Sequence, residues 1–175
     1  QVALSTPTSG TASVSKTFAQ SLERKYAAEV TFKNQSSTAN TFANVLFLKN
    51  SALSGTAANV VTIAVESGNL RYHNGSKWAT VPYDGGDMRL IDDAQYTVRV
   101  ECDGEAQIYK LYISGTNYIN STSGMRPLGD NILLGTFPFR NKNAGDPDAI
   151  ELAIGAGKNG TKFTVERLKV YALDD

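Results

Sequence analysis

Nine segments of this 175-residue chain carry apolar and β-branched residues in a period-two pattern, and that pattern constrains the fold more than any other feature. They are YAAEVTFK (26–33), NVLFLKN (44–50), VVTIAVES (60–67), NLRYHN (69–74), YTVRVECD (96–103), QIYKLYISG (107–115), ILLGTFPF (132–139), AIELAIGAG (149–157) and KFTVERLKVYAL (162–173). Val, Ile, Thr, Tyr and Phe fill them, and Gly, Asn, Asp and Ser separate them, which is the signature of strands joined by turns. No window of eleven or more residues has a helical period, and FAQSLERKY (18–26) reads as loop into strand or one helical turn. The chain therefore reads as all-β, with about ten to twelve strands in a two-sheet antiparallel sandwich.

The connections support hairpins. Ser67-Gly68-Asn69 and Asn74-Gly75 supply residues that tolerate positive φ, as primed turns require. Asp103-Gly104-Glu105 joins the next pair of strands. The closing segment breaks its own phase: Phe163 and Val165 alternate, then Leu168, Val170 and Ala172 alternate on the shifted set. A one-residue bulge at Glu166-Arg167 returns both sets to the core. With 41% hydrophobic residues and neither repeat nor internal linker, residues 1–175 are expected to form one domain, with 1–13 a linker remnant or first strand.

Charge and cysteine content exclude several functions. Seventeen basic residues balance seventeen acidic ones, and no basic run is present, so a nucleic-acid partner is not expected. No apolar run reaches the roughly 20 residues that span a bilayer. Charged residues amount to 19%, below the usual quarter, and the plentiful Ser, Thr, Asn and Gly are typical of secreted bacterial β-proteins. The start at Gln1-Val2 reads as a mature secreted protein or a module of a longer polypeptide. The single Cys102 shares its phase with Val98 and Val100 and is expected in the core.

The segments YHNGSKW, YTVRVECDGEAQIYKLYISG, FPFRNKNAGDP and KFTVERLKVYA together resemble the concanavalin A-like, laminin-G-like jelly rolls, over residues 26 to 173. Tyr96, Val98, Val100 and Asp103 match one strand of the pattern, and Tyr109, Tyr112 and Gly115 its partner. The resemblance implies a jelly-roll sandwich of the kind used as non-catalytic modules of secreted bacterial polysaccharide-degrading proteins. Glu166 stands where such modules place an acidic residue that anchors a structural calcium or a hydrogen-bond network. A tryptophan after the hairpin turn recurs in them, which gives Trp78 a packing role beside its role as a ligand platform.

The residues offer little for catalysis. Glycoside hydrolysis needs two carboxylates flanking the cleaved bond, and no same-face pair of that kind occurs on a strand here. A polysaccharide lyase has its best set in Arg71 and His73, with Tyr112 or Arg140. Sugar binding needs less: an aromatic face and a ring of hydroxyl-binding groups. The candidates are Arg71, Tyr72, His73, Trp78 and Tyr83 around the first hairpin, Tyr112 on an open strand face, and Arg140 and Asn141 after Pro138. Alternation puts Leu70 and Tyr72 on one face, Arg71 and His73 on the other. Asp146, Asp148 and Glu166 are the candidate ligands for a structural Ca²⁺, and no other cofactor is required. The expected function is non-catalytic binding of a polysaccharide or oligosaccharide within a larger secreted polypeptide. A structural or adhesion module without a sugar site is the alternative, and a lyase or hydrolase the third.

Overall fold

A computed structural model describes residues 2–5, 11–19, 21–22, 24–35, 42–155 and 162–173. Fourteen strands run in chain order: β1 (Val2–Ser5), β2 (Thr11–Thr17), β3 (Lys25–Lys33), β4 (Phe42–Lys49), β5 (Asn59–Glu66), β6 (Asn69–His73) and β7 (Trp78–Thr80). Then follow β8 (Pro82–Tyr83), β9 (Gly86–Arg89), β10 (Gln95–Asp103), β11 (Ile108–Asn120), β12 (Gly124–Pro138), β13 (Ala149–Gly155) and β14 (Lys162–Ala172). One short 3₁₀ turn, Gly55–Ala58, precedes β5. The nine expected strands are all present. Of residues 1–13, expected as a linker remnant or first strand, Val2–Ser5 form strand β1 and 11–13 open the edge strand β2, paired with β13; residues 6–10 lie outside the described residues.

All pairings are antiparallel, and they form two layers of a jelly-roll sandwich. Sheet I has the order β1-β14-β3-β10-β11-β12, and sheet II the order β2-β13-β4-β5-β6-β7. The hydrogen-bonded path is continuous, because the far half of β11 pairs with β9, which meets β6 through Asn69 and Arg89.

Alternation selects the core. Tyr26, Val30 and Phe32 of β3, Tyr96, Val98, Val100 and Cys102 of β10, and Tyr109, Leu111 and Ile113 of β11 point inward from sheet I. Val61, Ile63 and Val65 of β5, Leu70 of β6 and Ile150, Leu152 and Ile154 of β13 meet them from sheet II. Each such side chain, fully buried, stabilises the fold by about 1.5–3 kcal/mol relative to exposure. Burial also pushes the Cys102 thiol well above its ordinary range, so it sits in the core as a neutral apolar group.

Turn chemistry follows the sequence at one hairpin and departs from it at the next. Ser67 and Gly68 both take positive φ (50° and 85°), a two-residue connection between the paired Glu66 and Asn69. At Asn74-Gly75 the loop is wider than the two residues expected. His73 pairs with Trp78, and the Asn74 N–H donates to the Lys77 carbonyl across a four-residue turn. The Asn74 Oδ1 accepts from the Ser76 and Lys77 N–H groups, so its side chain substitutes for a tighter backbone turn. In β14 the expected bulge is present: Val165 pairs with Phe32 and Arg167 with Thr31, leaving Glu166 as the extra residue. Val165 is buried and Leu168 and Val170 pack on the core, whereas Ala172 is exposed; the Phe163 side chain lies outside the described residues.

Candidate functional site

The outward face of sheet II is set by register. Cross-strand pairing aligns Ser15, Glu151, Phe47 and Thr62 in one row over β2, β13, β4 and β5, and His73 pairs with Trp78 one residue past the Ile63–Tyr72 pair. A second row runs Ser13, Ala153, Asn44, Ala64, Arg71, Thr80. At strand spacings of about 4.8 Å these rows cover roughly 24 Å. Asn44 reaches this face because the register shifts between Asn44 and Leu46, with Val45 as the extra residue, so Asn44 and Phe47 point the same way.

Aromatic side chains concentrate at one end. The half-buried Trp78 ring lies nearly parallel to Phe47 (centroids 6.0 Å, 25°) and meets Phe42 and His73 edge-on at 5.1 Å and 5.4 Å. Phe47 is only 5% exposed, yet it stands outside the central core. Trp78 therefore covers the outer surface of the sheet. Arg140 approaches from the segment after β12, its guanidinium carbon 5.5 Å from the Trp78 centroid, and its N–H donates to the Val60 carbonyl at 2.8 Å.

Polar groups surround this cluster. His73 accepts the Gly75 N–H at Nδ1 (3.2 Å), which leaves the neutral ring's proton on Nε2. Burial, and then the Arg140 charge, hold its imidazole below the ordinary value. Arg71 pairs through one terminal nitrogen with Glu66 (3.0 Å), and Lys49 pairs with Glu151 (3.0 Å). Three buried polar atoms of this face have no hydrogen-bond partner among the described residues: Asn44 Oδ1, Thr62 Oγ1 and Arg71 Nε. An unpartnered buried group costs about 1–3 kcal/mol, so three on one face represent a concentrated, unused bonding capacity. Beside them a shallow depression of about 240 Å³ is lined by Ser15, Thr17, Lys49, Ser51, Leu53, Ala149 and Glu151.

Of the candidates read from the sequence, Arg71, His73, Trp78 and Arg140 come together here. Tyr72 does not: it points inward and packs on Phe137 (4.1 Å), because alternation sets it opposite its two neighbours. Tyr83 likewise packs on the core, edge-on to Tyr118 at 5.4 Å. Asn141 uses its carboxamide structurally, donating to the Ala57 carbonyl of the 3₁₀ turn and accepting from the Asn143 N–H in its own loop. Tyr112 lies on the opposite outer face, with the Arg99 guanidinium 4.3 Å over its ring. Phe42, Asn44, Phe47 and Thr62 are additions that sequence reading missed.

The candidate calcium ligands do not converge. Asp148 accepts from the Ser51 N–H (2.7 Å) and hydroxyl, which holds its carboxyl below the usual range. Glu166 binds the Gln95 amide on sheet I, and Asp146 is exposed on its loop. Among the described residues no group of three or more His, Cys, Asp or Glu side chains is placed to hold a metal.

No protein-family model matches this chain. No curated protein matches it either. Solved structures do match. A sialidase superposes with a TM-score of 0.68 at 10% identity, covering 98% of this chain and 15% of its own. The binding domain of botulinum neurotoxin DC, in complex with SialylT, gives 0.56 at 10% identity over 98% of this chain and 39% of its own. Sheep galectin-11, in complex with glycerol, gives 0.51 at 11% identity over 94% of this chain and 98% of its own. This chain thus spans about a seventh of the sialidase's length. At these identities the likeness defines the fold: a concanavalin A-like, galectin-like jelly roll.

Proposed function

We propose that this protein is a non-catalytic glycan-binding module that docks on a polysaccharide or oligosaccharide through the outer face of sheet II. The observation that carries this reading is the coincidence of a half-exposed Trp78 platform with unpartnered polar atoms of both senses. Arg71 Nε can only donate, Asn44 Oδ1 only accept, and the Thr62 hydroxyl does either. Sugar hydroxyls also do both, and sugar C–H faces pack on indole rings. These atoms are buried, so binding through them requires the Trp78 or Arg71 side chain to move aside. The rows run from Trp78 to the depression at Lys49 and Glu151, which suits a chain of several sugar rings better than one.

Binding fits better than catalysis. The two carboxylates of this face, Glu66 and Glu151, are each engaged by a cation. They stand two strands apart and at different levels of the sheet, roughly 15 Å at standard strand spacings, beyond the ~5–9.5 Å of glycosidase pairs. A galectin and a neurotoxin binding domain in complex with SialylT share this fold and support a sugar ligand, while a sialidase contains it as well. A secreted parent polypeptide with further domains is part of the proposal. Titrating Trp78 fluorescence with a panel of polysaccharides, alongside affinity electrophoresis, tests it: a saturable shift and retardation on one glycan are expected. Silence in both assays, or release of reducing or unsaturated ends, overturns it.

A further inference from the structure

Resting on that reading, we infer that the sugar bound at Trp78 is acidic, its carboxylate or sulfate held by Arg140. Among the described residues, Arg71, Lys49 and Arg140 are cations of this face, and Lys77 is exposed on the adjoining turn. Arg71 and Lys49 each have a carboxylate at 3.0 Å, whereas Arg140 has no carboxylate and no side-chain hydrogen bond among the described residues. Its backbone is fixed by the bond to Val60, and the neighbouring turn is close, since a Cβ on Gly75 would stand 3.7 Å and 3.8 Å from the Phe139 and Arg140 carbonyls. The backbone is thus fixed beside the hairpin turn, and the guanidinium itself rests over the Trp78 ring, 5.5 Å from its centroid.

Partial burial makes an unmatched guanidinium costly, and its planar fork suits a carboxylate or sulfate in two-point contact. His73 supplies a second donor edge-on to Trp78 and within reach of the Arg140 charge, because its Nδ1 accepts from the Gly75 N–H and its proton is on Nε2. A uronic or sulfated sugar that takes the place of the guanidinium over the indole gives Arg140 a charged partner in exchange for the ring. A neutral sugar would use the indole and leave Arg140 unmatched.

The test uses two matched pairs of polymers on the full chain: polygalacturonate against its methyl ester, and dextran sulfate against dextran. Affinity electrophoresis at low salt should show the charged member of one pair retained at least tenfold more strongly, and the pair that responds identifies carboxylate or sulfate. Arg140→Gln should abolish that preference, Arg140→Lys should restore part of it, and Lys110→Gln, an equal charge loss on the opposite face, should keep it. Equal retention of both members of each pair, or a preference that survives Arg140→Gln, overturns the acidic-sugar inference while leaving a glycan site standing. Retention of none of the four overturns the site as well.

Discussion

The two outer faces of this sandwich are built from similar residue types and end in opposite states. On sheet I, Arg99 stacks on Tyr112, pairs with Glu101 and donates to the Asn131 side-chain Oδ1 at 2.6 Å. Tyr112 donates to the other Glu101 oxygen at 2.9 Å, Thr31 and Thr97 bond each other, and Arg167 pairs with Glu29. Each side chain in that network has at least one protein partner. On sheet II an aromatic cluster interrupts such pairing: among the described residues, Asn44, Thr62 and Arg71 keep unused atoms and Arg140 has no counterion. A face whose polar groups satisfy one another has little to offer a ligand. One whose groups are held apart by a tryptophan retains that capacity.

The largest expected effect comes from Trp78→Ala. It should abolish glycan retention and destabilise the fold by about 2–4 kcal/mol, since the ring is half-buried against Phe42 and Phe47. Tyr112→Ala on sheet I should leave retention intact and cost about 1 kcal/mol, read from urea unfolding. Equal loss of retention in both variants would erase the distinction between the faces.

A paired substitution sharpens it further. Thr62→Val replaces an unpartnered hydroxyl with a methyl group and should raise stability by about 1 kcal/mol while weakening retention several-fold. Thr31→Val removes the partner of Thr97 and should lower stability by a similar amount with no change in retention. Melting temperatures shifting in the same direction would show that the Thr62 hydroxyl is not unpartnered in solution.

The smallest effect concerns pH. The folded protein holds the His73 imidazole below its ordinary value, by burial and by the Arg140 charge, so the unfolded chain takes the proton more readily. This favours folding fully above about pH 6.5 and is lost as the pH falls through the depressed folded value. His73→Gln should therefore flatten part of the fall in melting temperature between pH 7 and pH 5. An unchanged slope would place the proton elsewhere.

How much of this was legible depended on whether phase was visible in single residues. The β14 bulge could be read because Val165 and Leu168 are strong markers on either side of it. The β4 bulge could not: Val45, Leu46 and Leu48 are all apolar, so nothing in NVLFLKN announces that Asn44 and Phe47 share a face. Thr62 was hidden within an apolar run for the same reason. Strand β2 escaped because TASVSKT is almost wholly exposed at an edge and needs no apolar phase. Arg71 and His73 were separable from Tyr72 by alternation alone. What alternation could not supply was the partner strand, and so the Phe47 and Phe42 rings against which Trp78 rests.

Strand β11 carries one more consequence. Its first half is hydrogen-bonded within sheet I and its second half reaches β9 and, through it, β6. The two layers are thus hydrogen-bonded to one another at that end through β11, β9 and β6. Amides of β10 and β6 should therefore exchange with solvent in one cooperative event, although they belong to opposite layers. Occupancy at Trp78 would then slow exchange in β10 on the far side of the molecule as well.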